Sequence, residues 1–371
     1  MKVLVPLARP SLAAEDLQGI HEVLVSGQLV QAQQVLGFEA ELAAVHEVAP
    51  AQVIAVTNGS VALHVALLAL ELPAGSSVVM PAFTFPSVAN VVELCGYRSE
   101  FVDISLDDFA PDPEVFVCAS KAANAAVWVH QFGIVPGDAE ALHAVEAAGV
   151  PVIEDAACAL GTRFGGRAAG AHASLGCSSF HPRKLITTGE GGLVIARDLA
   201  VAERARSLRN HGQRPGETGP LRFERAGMNA RMGEMNAAIG RSQLRKLPYF
   251  LEKRHTRRRL YLELLAGVGG VTIPAAYRDQ ARSNVQSFVV VLDEGIDRAR
   301  VIAELRAAGI ETTLGGYSIP HQPYYEKRYG APGGRFPNAD RAFRQALALP
   351  MYPDLADDQV RLVVETLSEV L

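Results

Sequence analysis

Ser179-Phe180-His181-Pro182-Arg183-Lys184, running through Leu185-Ile186 into Thr187-Thr188-Gly189-Glu190-Gly191-Gly192, sets a lysine between an apolar run and a glycine-rich turn. Little solvent reaches such a place to hold an ammonium charge, so the amine can act as a nucleophile toward a carbonyl. Taken alone, an Arg-Lys pair more often marks a solvated loop. The choice between the two readings rests on what stands at equivalent places along the chain.

Short apolar or β-branched runs recur at Val53 to Thr57, Ser77 to Ala82, Arg98 to Ile104, Ala125 to Gln131, Pro151 to Ala156, Leu175 to Phe180 and Leu193 to Ala196. Helical patterns fall between several of them: Ser60 to Glu71, Ser87 to Cys95, Asp138 to Ala148, capped by Asp138 after Pro136-Gly137, and Leu199 to Asn210. Seven such runs alternating with helices predict an α/β fold with a seven-stranded, mostly parallel sheet covered on both faces. Beyond Asn236 the pattern changes to a long basic helix, Met235 to Leu265, broken or bent near Pro248. There follow a strong strand, Gln286 to Leu292, and helices over Asp297 to Ala308, Asn338 to Leu347 and from Asp357 onward. The expected division is a large domain over residues 1–245, whose first stretch of about 15 residues packs on the other unit, and a small C-terminal α+β domain over 246–371. Gly212 to Gly219 and Gly330 to Gly334 read as loops.

Composition narrows the function classes. In 371 residues, 49% hydrophobic, 35 basic against 40 acidic side chains leave a formal net charge of -5, without the basic footprint of a nucleic-acid binder or a protein of anionic membranes. Cys95, Cys118, Cys158 and Cys177 stand singly, lacking the spacing of zinc or iron-sulfur ligands, and read as reduced thiols. No metal is expected, no apolar run has the length of a bilayer span, and a cytoplasmic location is expected.

In an open α/β sheet, ligands bind outside the carboxyl ends of the strands. After Val53 to Val56 stands Thr57-Asn58-Gly59-Ser60, opening a helix whose free N–H groups and dipole favour a phosphate; a simple cap by Asn58 or Ser60 is the plainer reading. After Ser77 to Met80 stands Pro81-Ala82-Phe83-Thr84-Phe85-Pro86, with aromatic faces on which a flat ring can rest. After Pro151-Val152-Ile153 stand Glu154 and Asp155, of which strand alternation lets only one face a given site. A carboxylate there can keep a pyridine nitrogen protonated. The remaining end is the lysine segment, where Ser179 is a second candidate phosphate ligand. Phosphate cradle, aromatic face, acid and amine together describe a pyridoxal phosphate site.

From Pro6-Leu7-Ala8-Arg9-Pro10 and Ser26-Gly27 to Leu349-Pro350-Met351-Tyr352-Pro353, the chain resembles the DegT/DnrJ/EryC1/StrS group of pyridoxal-phosphate-dependent nucleotide-sugar aminotransferases, of fold type I. Glu154-Asp155-Ala156-Ala157 and Ser179 to Gly192 are the most specific pieces. The resemblance implies that Lys184 forms the internal aldimine, Asp155 pairs with the pyridine nitrogen and Phe85 stacks on the ring, with Gly59, Ser60 and Ser179 on the phosphate. It implies that Asn229, in Gly227-Met228-Asn229-Ala230-Arg231-Met232, reaches the phosphate held by a second subunit, so that a homodimer shares its active sites. The implied amino donor is L-glutamate and the acceptor a nucleotide-linked keto sugar, with the amino sugar destined for a polysaccharide, a glycan or a secondary metabolite. His181 and Arg183 are candidate substrate contacts, with a plain surface role as the alternative.

The chain departs from the family pattern in several places. Cys158 stands near the cofactor where the family usually has Gln, His or Glu; Ala32-Gln33 replaces a glycine-proline, and Gly315-Gly316-Tyr317 is an uncommon form. Sugar dehydratases of the same group are an alternative, but their 3-dehydratases carry histidine in place of the lysine kept here as Lys184. A silent regulatory or scaffold relative is the other alternative, and it is expected to lose Lys184 or Asp155, both of which are present.

Overall fold

The apolar runs form strands β1 (Val53–Val56), β2 (Ser77–Pro81), β3 (Arg98–Val102), β4 (Ala125–Val129), β5 (Val152–Asp155), β6 (Leu175–Ser179) and β7 (Gly192–Ala196). They make one 7-stranded sheet in the spatial order β1-β7-β6-β5-β4-β2-β3. Only β7 runs against its neighbours β1 and β6; the pairs from β6 to β3 are all parallel. This computed structural model describes residues 3–135, 139–214, 221–278 and 283–371. The predicted Asp138 cap with Pro136-Gly137, and residues 215–219 of the predicted Gly212 to Gly219 loop, lie outside them.

Strands β1, β4 and β7 are buried at every position, which is why they read as continuous apolar runs and not as alternating ones; β5 is as deeply buried but ends in Glu154 and Asp155. On one face, helices Gly59–Ala69, Ser87–Leu94 and Leu199–Arg209 bury Leu63, Val92 and Leu208 against Ile54, Met80, Ile153 and Val194. On the other, Gln33–His46 sets Phe38 and Leu42 against Val53 and Leu193, and Ala139–Ala147 sets Leu142 and Val145 near Trp128 and Val152.

A second, 4-stranded sheet of antiparallel pairs joins Val271–Thr272, Phe288–Leu292, Ala346–Leu349 and Thr313–Leu314, in that order across the sheet. Its core includes Tyr261, Phe288, Leu305, Leu347 and Val363. The amino-terminal stretch runs beside it: the Leu4 and Val5 N–H groups donate to the Gly309 carbonyl at 2.9 and 3.1 Å. No helix among the described residues is long and apolar enough to cross a membrane.

Two expectations need correction. The long helix is two helices, Glu234–Arg245 and Leu247–Leu265, and Pro248 sits in the first turn of the second, where its missing N–H costs nothing. The helix expected over Asn338 to Leu347 ends at Gln345, because Ala346–Leu349 pairs with Phe288–Val291 as a strand and Pro350 follows. The rows of Phe288 to Leu292 and Ala346 to Leu349 complete each other, and that tertiary pairing overrides a helical spacing.

Backbone lies directly on backbone at the centre of the large sheet. A Cβ on Gly176 would stand 1.9 Å from the carbonyl oxygen of Gly170, in the turn that crosses β6. Gly176→Ala is therefore expected to cost about 2 kcal/mol or more in a urea titration. Gly267→Ala, where a Cβ meets nothing within 4 Å, should change stability by less than about 0.5 kcal/mol.

Candidate active site

The carboxyl ends of β4, β5 and β6 and the start of helix Gly59–Ala69 open on a cavity of about 870 Å³, closed on its far side by residues of the second sheet and its loops. Gly59, Ser60, Phe85, Asp155, Cys158, Ser179 and Lys184 all line it. Asn229 does not: it is exposed and bridges Asn210, outside the cavity of its own chain.

Lys184 is presented by a closed loop. The Phe180 N–H donates to the Gly191 carbonyl at 2.8 Å and the Thr188 N–H to the Phe180 carbonyl at 3.0 Å, so β6 and β7 are joined by a compact turn around buried Phe180. A Cβ on Gly191 would fall 2.2 Å from Thr188 Oγ1, which explains the glycine. Lys184 Nζ lies 3.1 Å from Cys158 Sγ, its one hydrogen-bond partner among the described residues.

The two adjacent acids have opposite fates. Glu154 is fully buried; its carboxylate accepts from the N–H groups of Gly170, His172 and Ala173 at 2.8, 2.6 and 2.8 Å and from His130 Nε2 at 2.8 Å. Burial pushes its pKa up, but the His130 contact and the N–H donors outweigh it and hold the group below the ordinary carboxylate value. Asp155 points to the cavity, has only the Ala157 N–H as donor, at 3.0 Å, and makes no ion pair among the described residues. Burial raises its pKa against the pull of that N–H and of the Lys184 and His130 charges. A buried acid with one donor is a place prepared for a cation.

At the opposite end, Asn58 caps its helix by accepting from the Val61 N–H at 2.9 Å, so the plainer reading of this motif holds for Asn58. The N–H groups of Gly59 and Ser60 have no partner among the described residues, and they face the cavity beside the Ser179 side chain. A Cβ on Gly59 would stand 2.7 Å from that of Ser179, so only glycine lets the helix start lie against the end of β6. Phe85 is 63% exposed and meets Tyr317 in a T-shaped contact, with ring centroids 6.2 Å apart. An acid for a ring nitrogen, an amine, an exposed aromatic ring and an anion cradle fit pyridoxal phosphate.

Two lining residues lacked a sequence signal of their own. His130 follows β4 but reads as the tail of an apolar run; its ring is buried, held by Glu154, and Nδ1 has no partner. Gln286 precedes Phe288–Leu292, and its Nε2 donates to the Arg183 carbonyl at 2.6 Å. The rule that residues after parallel strands face the ligand would have found His130; nothing short of the fold would have found Gln286. His181 also lines the cavity, with its pKa lowered chiefly by burial, against the Glu190 charge.

Opposite effects are expected from neighbouring substitutions in the cofactor-free protein. Since folding raises the pKa of Asp155, its ionisation costs stability: the cost is absent below the ordinary carboxyl pKa and full above the folded value. Asp155→Asn should raise Tm near pH of about 7, with the gain shrinking toward pH of about 4. Glu154→Ala strands an imidazole and three N–H groups and should cost about 3 kcal/mol or more in thermal or denaturant unfolding.

The chain is 31% identical, over 98% of its length and 95% of the relative's, to the dTDP-4-dehydro-2,3,6-trideoxy-D-glucose 4-aminotransferase of Saccharopolyspora spinosa. Its fold matches the aminotransferase TlmJ from Streptoalloteichus hindustanus with a TM-score of 0.90 at 30% identity, covering 99% of this chain and 98% of that one. It matches S. venezuelae DesV, solved in complex with a ketimine intermediate, with a TM-score of 0.87 at 32% identity, over 96% and 94% of the two chains. A family model matches residues 10–368, and the chain belongs to the DegT/DnrJ/EryC1/StrS aminotransferase family.

Proposed function

We propose that this protein binds pyridoxal phosphate covalently through Lys184 and moves an amino group from L-glutamate to a nucleotide-linked keto sugar. The observation that carries the reading is the meeting, in one cavity, of the Lys184 amine, the buried Asp155 carboxylate and, among the described residues, the unpaired N–H groups of Gly59 and Ser60. When bound, the cofactor supplies a carbonyl carbon that takes up the amino group and a ring that accepts electrons from the adjacent bond.

The chain's own residues do the rest. Asp155 holds a positive charge at the ring nitrogen, which relieves its own desolvation. Gly59, Ser60 and Ser179 grip the phosphate at the helix start. Phe85 covers one face of the ring. With the cofactor bound, Lys184 Nζ would be the base that takes up the donor's α-proton and hands it on within the cavity. Cys158 Sγ keeps that amine on the cavity side of the turn.

A nucleotide-linked keto sugar as acceptor is supported by the name of the Saccharopolyspora relative, whose substrate is a dTDP-linked 4-keto sugar. A homodimer is supported by the position of Asn229, which is exposed and turned out of its own cavity, and by the apolar side chains Leu29, Val30, Leu221 and Phe223 left open. In this reading Asn229 completes the phosphate site of a second copy.

The test is the visible absorption of the purified protein loaded with pyridoxal phosphate, before and after L-glutamate. The wild type is expected to pass from the pyridoxal to the pyridoxamine spectrum and to return on adding a nucleotide keto sugar. Lys184→Ala should lose about 100- to 10,000-fold of the rate. A wild-type spectrum indifferent to glutamate and other amino donors would overturn the reading.

A further inference from the structure

A second cavity, of about 10 Å³, adjoins the lysine turn and shares Arg183 and Lys184 with the large one. Three parts of the chain enclose it: Ala8 to Ser11 of the amino-terminal stretch, the turn from Pro182 to Leu185, and Gln243 with Arg254 from the helices Glu234–Arg245 and Leu247–Leu265. Its charged lining residues are all positive, Arg9, Arg183, Lys184 and Arg254, and no carboxylate among the described residues lines it. Lys184 gives its amine to Cys158, which lines only the large cavity of the two.

Arg254 is the residue left in debt. It is 2% exposed, and Nη1 donates to the Val285 and Gln286 carbonyls at 3.0 and 2.8 Å. Its Nε has no hydrogen-bond partner, and the guanidinium makes no ion pair among the described residues. Burial lowers its pKa to about 10 with no carboxylate pulling the other way, so the group is charged at neutral pH and its desolvation is not offset. Asp16, which Gln243 Nε2 reaches at 3.4 Å, is already held by Lys246 Nζ at 3.0 Å.

We infer that this small cavity binds a monatomic anion, a halide such as chloride, against the Arg254 guanidinium. Charge and size select the occupant together. An all-positive lining calls for a negative ion, and a space of about 10 Å³ holds one water-sized sphere, too little for phosphate, sulfate or a diphosphate. Water can satisfy Nε but leaves the buried charge without a counter-ion. A filled site also braces the lysine turn: Arg254 holds the Gln286 carbonyl, and Gln286 Nε2 holds the Arg183 carbonyl at 2.6 Å. None of these contacts involves the cofactor, so the inference stands apart from the transaminase reading.

The test uses the full chain in a gluconate buffer free of halide and phosphate. Exchanging gluconate for chloride or bromide at a constant ionic strength of about 0.1 M is expected to raise Tm by about 1–3 °C along a saturating curve. Arg254→Met loses two hydrogen bonds and starts from a lower Tm, but the quantity read is the halide increment, which should vanish. Wild-type crystals soaked in bromide should show an anomalous peak in contact with the Arg254 guanidinium, and this arm decides the matter with the wild-type curve if the variant does not fold. The inference falls if Tm is indifferent to which anion supplies the ionic strength, if the increment survives in Arg254→Met, or if no bromide peak lies in the cavity. It falls too if the peak is present without any increment in solution, which marks an adventitious ion only.

Discussion

An ionised carboxylate in a place that no water reaches is the constraint around which this site is built. Glu154 can stay charged only because four donors close on it, and those donors come from separate segments: His130 after β4 and three backbone N–H groups between Gly170 and Ala173. Satisfying one side chain thus ties the ends of β4 and β5 to the turn before β6. Asp155, one residue on, inherits a rigid backbone and is held where water is scarce without receiving the donors that would make it comfortable. The same strand end thereby offers one satisfied acid and one unsatisfied acid, and the second is the one that faces the cavity.

The cavity has a corresponding division of labour. Its floor is made by strand ends and a helix start, all belonging to the buried sheet, and it presents the amine, the acid and the anion cradle. Its roof comes from Ser287, the segment from Thr313 to Tyr317, and Ala348 to Met351, which belong to the second sheet and its loops. Reactive groups on the buried sheet below and loop residues above is the division expected of a site carried by a rigid scaffold. The Gln286 side chain links the two by holding the carbonyl of Arg183 from the roof side.

Much of this was legible in the chain before the fold was known, for identifiable reasons. Burial on both faces made strands such as β4 visible as uninterrupted apolar runs, Ala125 to Val129, whereas edge strand β3 exposes Arg98 and Glu100 in alternation. Lys184, Asp155, Gly59 and Ser179 were visible because parallel strands deliver their ligands at one end. What was hidden depended on distant partners. Ala346–Leu349 becomes a strand only by pairing with a segment more than fifty positions earlier, and helices Glu15–Ser26 and Gln33–His46, which start at alanines without a side-chain cap, carry no sharp opening signal. Alternation says only that Glu154 and Asp155 face opposite ways; the choice of Asp155 came from the family resemblance and not from the strand pattern. The role of Gln286 exists only once the two sheets are brought together.

The contact between Gly59 and Ser179 works as a ruler. Because there is no room for a single carbon between the helix start and the end of β6, the distance from the helix start to the lysine turn is set by the Gly59 main chain against Ser179. Side-chain change elsewhere cannot stretch it. Drift in the roof segment from Thr313 to Tyr317 can therefore alter what is admitted while the gauge of the reaction centre stays the same, and new specificities can be explored without reinventing the chemistry.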